Sequence, residues 1–173
     1  MILIVDMCSR SLSRDEFVEP VKNIIENSGY RSEVVHFSEI KDKHLKAEKM
    51  ILCGTALKDN EFLEHDFSWI KNTDRPVFGI CAGAQAIAKA FGGRVVKQKE
   101  IGMVEIDCDN GIFGKEKLSV YQLHGNGITL PDGFDKIAWN EKGVQGIKRG
   151  RVCGVQFHPE VRNDHILVRW LRT

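Results

Sequence analysis

Apolar positions along the chain change their pattern about half-way. Up to residue 93, short continuous apolar runs alternate with stretches whose apolar residues recur every three or four positions; beyond it the runs alternate with polar residues and are divided by glycine turns. The first run, residues 1–5, is apolar throughout, as in a strand of a parallel sheet covered on both faces. Phe17, Val21, Ile24 and Ser28 follow at helical spacing until Gly29. Ser13 with Glu16 predicts a capping box at the start of that helix, and Pro20 a late start or a bend. Residues 33–37 and 49–53 predict the second and third strands, 38–48 a short helix over an edge, and 61–71 a helix containing Phe62 and Trp69. Residues 76–80 predict a fourth strand that passes straight into an alanine-rich helix, Ala82 to Phe91, stopped at Gly92-Gly93.

In the second half, residues 94–98, 101–108, 118–124, 135–140, 144–148 and 151–157 are β-prone and separated by Asn-Gly, Asp-Gly and Lys-Gly turns, the pattern of antiparallel hairpins. A closing helix over 164–171 is expected, capped by Asn163 or Asp164. Alternating strands and helices followed by hairpins predict an α/β fold: an open, largely parallel, doubly wound sheet of flavodoxin-like type with added antiparallel hairpins, in a single domain over 1–173.

Composition narrows the function classes. The chain has 173 residues, 42% hydrophobic and 28% charged, as in an ordinary globular protein. A net charge of +1 argues against nucleic acid as an electrostatic partner, and the short basic run Lys148-Arg149-Gly150-Arg151 reads as a solvated hairpin turn. The five cysteines, Cys8, Cys53, Cys81, Cys108 and Cys153, contain no C-x-x-C pair and are odd in number, so neither a disulfide framework nor a metal site is expected. No apolar stretch approaches the ~18 residues of a membrane helix, and residues 1–5 lack a basic leader, which predicts a cytoplasmic protein without membrane contact.

The candidate chemistry lies where the fourth strand meets its helix, at Gly79-Ile80-Cys81-Ala82-Gly83-Ala84-Gln85. A cysteine there stands on a tight strand-to-helix turn, and Gly79 and Gly83 lack the Cβ atoms that would clash when strand and helix close around it. The thiol is expected to be exposed at a helix N-terminus, where unpaired N–H groups favour thiolate and can receive an oxyanion. Far along the chain, Gln156-Phe157-His158-Pro159-Glu160 closes a β-prone run. Pro159 holds His158 extended, so His158 and Glu160, two apart, are expected on one side with the carboxylate orienting the imidazole. Cysteine, histidine and carboxylate are the parts of a thiol acyl-transfer triad.

Gly79-x-Cys81-x-Gly83-x-Gln85 together with His158-Pro159-Glu160 resembles the class I, triad-type glutamine amidotransferases, over nearly the whole chain. The likeness implies that Cys81 is the nucleophile, His158 the proton carrier and Glu160 its orienting acid. It implies that the amides of Gly54 and Ala82 hold the oxyanion, although Thr55 stands where a second glycine is usual. It implies also that L-glutamine is bound through Gln85 and through the backbone around Leu123 and His124, in a segment where Leu123 and Asn126 replace the usual serine and aspartate. No cofactor is implied in this chain. Within the family the likeness is greatest to the amidotransferase subunit of two-subunit guanosine monophosphate (GMP) synthetases. A separate synthetase partner is then expected, the ATP-pyrophosphatase subunit, which would use ATP and Mg²⁺. The sequence leaves two alternatives open: a γ-glutamyl or other thiol hydrolase of the same architecture, and a catalytically silent regulatory subunit.

Overall fold

The computed structural model describes residues 1–173. In chain order the strands are β1 Ile2–Asp6, β2 Ser32–His36, β3 Lys49–Leu52, β4 Val77–Ile80, β5 Val95–Cys108, β6 Lys117–Ile128, β7 Asp135–Asn140, β8 Gly143–Arg149 and β9 Val152–Val155. The helices are α1 Arg14–Phe17, α2 Glu19–Asn27, α3 Trp69–Asn72, α4 Ala82–Ala90 and α5 His165–Leu171. All nine strands join one sheet in the order β2-β1-β3-β4-β9-β8-β6-β5-β7, the first five parallel and the rest antiparallel.

Period-two alternation sends each parallel strand's side chains to two different cores. Ile2, Ile4, Ile51, Phe78 and Val155 pack under α1, α2 and α5 through Phe17, Val21, Ile25, Ile166 and Trp170. Leu3, Val5, Met50, Leu52 and Val77 pack on the other face against Ile70 of α3 and Ala82, Ala86 and Ile87 of α4. The parallel half is thus doubly covered, which accounts for the unbroken apolar run at its first strand.

Several expectations are corrected. The sheet is open only in its parallel half, because β7 pairs with both β5 and β8 and so closes β8, β6, β5 and β7 into a ring. The run 151–157 is not a hairpin arm alone: β9 pairs antiparallel with β8 and parallel with β4, which makes it a core strand. The runs 94–98 and 101–108 are one strand, β5, with an irregularity between Lys97 and Glu100. The first helix is divided at Val18, and Pro20 lies in the first turn of α2, where its missing N–H has no intrahelical acceptor to lose. Ser13 makes no side-chain cap bond, so the capping box does not form.

Residues 38–48 form no α-helix but two short 3₁₀ turns, Phe37–Glu39 and His44–Lys46. The stretch 61–71 is split into a 3₁₀ turn, Glu61–Glu64, and the short α3, since the Asp66 carboxylate accepts from both the amide and the hydroxyl of Ser68 at 2.8 Å and holds a turn between them. Neither Asn163 nor Asp164 caps α5 through its side chain; Asn163, at φ 76°, donates its amide to the Ser119 carbonyl at 2.9 Å and so ties the start of α5 to β6.

Candidate active site

The loops following β1, β3, β4 and β9 meet at the carboxyl ends of the parallel strands, where open α/β sheets carry their ligand sites. Cys81 occupies the tip of the β4–α4 turn at φ 47°, ψ −100°, a conformation that a side chain other than glycine's adopts only under strain. Three backbone bonds hold it there: Cys81 N–H to Val155 O (2.8 Å), Gly83 N–H to Cys53 O (3.2 Å) and Gln85 N–H to Cys81 O (3.0 Å). The flanking glycines have the role their spacing predicts. A Cβ on Gly79 would lie 2.5 Å from the Gly83 carbonyl carbon, and one on Gly83 would overlap the Leu52 carbonyl.

The thiol is not exposed as expected. Cys81 is 4% accessible, because β6 crosses over the elbow and its Leu123 carbonyl faces the sulfur at 3.7 Å. The other four cysteines are free thiols held from ionising by burial. Burial, reinforced by nearby carboxylates, pushes Cys8 up to about 12 and Cys108 to about 11; burial likewise raises Cys153 to about 12 and Cys53 well above the ordinary thiol value.

His158 and Glu160 come together, but on a turn rather than an extended strand: β9 ends at Val155, and the amide of Val161 returns to the His158 carbonyl. Imidazole Nδ1 lies 2.7 Å from Glu160 Oε1, with both side chains essentially inaccessible. The His158 amide donates to Tyr121 O at 2.9 Å, the Phe17 ring lies 5.5 Å from the imidazole, and the bare Gly54 Cα lies against the ring's edge. Burial disfavours the imidazolium, but the Glu160 carboxylate and then the Cys81 sulfur outweigh it and hold His158 well above the ordinary histidine value. With the thiol turned to Leu123, Nε2 has no hydrogen-bond partner, so the ring is oriented on one side and free on the other.

A narrow recess of about 20 Å³, open to solvent, reaches the sulfur. Its walls include Thr55, Ala82, Gln85, Leu123, His124 and Asn126, which brings the expected glutamine-binding positions to one place. The amides of Gly54 and Thr55 have no protein acceptor, and that of Ala82 is an unpaired donor of the first turn of α4. Gln85 is buried, and its side-chain amide is engaged at 3.1 Å with Asn126 O, which also accepts from Gln156 Nε2 at 2.9 Å. In this arrangement Gln85 braces the β6 wall.

His124 is also buried: Nδ1 bonds Gln98 O at 2.9 Å, and Nε2 faces Glu100 Oε2 at 3.5 Å. Burial lowers its basicity more than Glu100 raises it, which favours the neutral ring. No group of three or more histidine, cysteine or acidic side chains is placed to hold a metal ion.

Two features were missed by sequence reasoning. Asp59 and Asn60 line the recess from the β3 loop, where nothing in the pattern marks them. Behind the β6 wall, Glu100 accepts from Asn140 and Gln145 (both 2.7 Å) and from Gln98 (3.2 Å), while Gln122 donates to Gln145 at 2.6 Å. A signal for that network exists in the sequence: Gln122 and His124 continue the inward parity of Leu118 and Val120.

Comparison with known proteins agrees with this geometry. Residues 13–171 match the family Glutamine amidotransferase class-I. A protein named GMP synthase [glutamine-hydrolyzing] from Thermomicrobium roseum is 35% identical over 128 residues, 69% of this chain and 24% of that protein. Anthranilate synthase component 2 of Archaeoglobus fulgidus is 40% identical over 93 residues, 49% of this chain and 52% of the other. The chain therefore spans about a quarter to a half of the length of these two relatives. The crystal structure of a Thermoplasma acidophilum protein named as one component of a GMP synthase superposes with a TM-score of 0.84 at 26% identity, covering 99% of this chain and 92% of that one. With the family matched over nearly its whole length and a cysteine elbow, a histidine–glutamate pair and a recess joined in one site, the chain belongs to the class I glutamine amidotransferases.

Proposed function

We propose that the chain hydrolyses the side-chain amide of L-glutamine through Cys81, His158 and Glu160, and passes the ammonia to a synthetase partner. The observation that carries this reading is the strained Cys81 elbow at the foot of the recess, beside an imidazole held basic and oriented from behind by a buried carboxylate. The Cys81 thiolate attacks the amide carbon, and the carbonyl π electrons move onto oxygen, where the amides of Ala82 and of the Gly54 loop donate. As the tetrahedral adduct collapses, His158 Nε2 gives its proton to the leaving nitrogen and ammonia departs. The same nitrogen then takes a proton from water, whose oxygen attacks the γ-glutamyl thioester and releases glutamate and thiolate. Glu160 keeps Nδ1 protonated throughout and stabilises the imidazolium.

For the acceptor, the names of the relatives favour GMP formation: the partner would be a GMP synthetase ATP-pyrophosphatase subunit, which would activate its nucleotide with ATP and Mg²⁺. A glutaminase assay of the pure chain, alone and with that subunit, tests both levels. Glutamine-dependent GMP formation that is lost in Cys81→Ala is the expected result. If ammonium salts support synthesis and glutamine never does, while an anthranilate synthase is activated instead, the GMP assignment fails and glutamine hydrolysis stands. If no partner elicits glutaminase activity, the hydrolysis reading fails.

A further inference from the structure

We propose that Asp59 is a specificity-determining residue: its carboxylate receives the α-ammonium group of L-glutamine. This rests on the glutamine-hydrolysis reading and adds a residue to it. At neutral pH the substrate brings two charges besides its reacting amide, and burying an ammonium without a counter-charge is costly. Asp59 is the one charged side chain that lines the recess. His124, the nearest alternative, is kept neutral by burial, and Asn126 on the opposite wall carries an amide.

The recess is also tied across in a way that fixes Asp59 at its rim. Asn126 Nδ2 donates to Oδ1 of Asn60, the residue next to Asp59, at 3.0 Å, so the β3 loop and the end of β6 are joined there. Asp59 itself is anchored by one oxygen: Oδ2 accepts from Thr55 Oγ1 and from the Ser9 amide, both at 2.7 Å. Its other oxygen, Oδ1, meets the Glu61 amide at 3.5 Å, beyond a good hydrogen bond, and the Ser9 side chain also helps hold the carboxylate ionised.

No lysine, arginine or histidine pairs with the carboxylate. Burial raises its proton affinity, but the bonds from Ser9 and Thr55 prevail and keep it below the usual aspartate value. A carboxylate held ionised, oriented through one oxygen and lacking a cation is arranged to take one from the recess.

Binding measured by calorimetry on a Cys81→Ser background, which blocks turnover, separates the outcomes. The probes are L-glutamine and glutaramic acid, the same molecule without its α-amino group. The parent is expected to prefer glutamine by at least about 10-fold, and Asp59→Asn to weaken glutamine by about 10- to 100-fold while changing glutaramic acid less than about 3-fold. Asn keeps an acceptor for Thr55 and Ser9, and Asp59→Glu is expected to retain most of the preference. A parent that binds both ligands equally overturns the proposal whatever the variants do. So does an Asp59→Asn protein that binds glutamine as the parent does, or that loses both ligands alike, the latter marking a purely structural role. In these three cases glutamine binding, and with it the proposed reaction, survives. If the parent binds neither ligand, the reaction reading falls and this inference falls with it.

Discussion

Replacing Gly54 by alanine tests whether the site depends on the position of the His158 ring rather than only on the presence of an imidazole. An added Cβ would stand 2.6 Å from His158 Cε1 and 3.2 Å from Nδ1, and ordinary contact begins near 3.4 Å, so the ring edge must retreat by about 0.8 Å. Phe17 borders the same space, with its Cδ1 3.4 Å from the new methyl, so the phenyl ring offers little relief. The ring's one side-chain hydrogen bond is the 2.7 Å contact from Nδ1 to Glu160, and a displacement that draws it out of charge-assisted range would lose about 1.5–3 kcal/mol of orienting interaction. A misplacement of this size costs on the order of 10²-fold in rate.

Overpacking costs about 1–3 kcal/mol, so the melting temperature falls by only several degrees. Because alanine keeps its backbone N–H, an oxyanion donor is not removed, and the deficit reports ring position. Steady-state glutaminase kinetics with the activating partner, beside calorimetric glutamine binding, give the readout: kcat falls about 100-fold while binding changes little. Turnover within about 3-fold of wild type would refute the argument, since the ring would then have room the geometry denies it.

Four other predictions concern the same site. A glutamine-like diazoketone should label Cys81 alone, because the other four thiols are held from ionising, and peptide mapping that finds the label on Cys53 or Cys153 would count against the nucleophile assignment. His158→Asn should cost several orders of magnitude in kcat and Glu160→Gln about 10²-fold. Since the folded value of His158 is raised, the stability this pair contributes is complete below about pH 6.5 and is lost as pH rises through the folded value. Glu160→Gln should therefore narrow its stability gap to wild type in alkaline melts, and an unchanged gap would contradict the pairing. Glu100→Gln places a donor among the amide donors of Asn140, Gln145 and Gln98, so a loss of about 2–3 kcal/mol in denaturant unfolding is expected, with KM for glutamine rising more than kcat falls.

What the sequence conveyed was local. Gly79 and Gly83 could be read as close-approach positions because the requirement falls within five residues, and the His158–Glu160 pair because the two are two apart. The burial of Cys81 was not legible: it arises from β6 crossing the elbow some forty residues later, and nothing near Cys81 in the chain encodes that crossing. The broken helices were misread for a different reason. Apolar spacing at Phe62 and Trp69 is compatible with one helix, yet Asp66 and Ser68 commit their hydrogen bonds to a turn between them. Likewise the closed ring depends on β7 reaching β5 as well as its hairpin neighbour β8, and the β5–β7 pairing joins strands with all of β6 between them in the chain, which leaves no periodic trace.

The antiparallel ring gives the parallel α/β sheet a wall beside Cys81, since Leu123, His124 and Asn126 of β6 line the recess. The elbow, its helix and the histidine–glutamate pair all hang from the parallel strands, so Cys81 and His158 share one support. The opposite wall belongs to β6, whose end at Asn126 is fixed by Gln85 from α4 and Gln156 from the tail of β9, both donating to one carbonyl. Buried carbonyls with two side-chain donors resist displacement, because either donor left alone would be a costly unsatisfied group. The Cys81–His158 side and the β6 side are thus two regions of one continuous sheet, and their side chains meet above it at a few named contacts. It follows that substitutions on the Glu100 side should move KM, those on the Glu160 side should move kcat, and only contacts that cross between the two, such as Gln85 to Asn126, should move both.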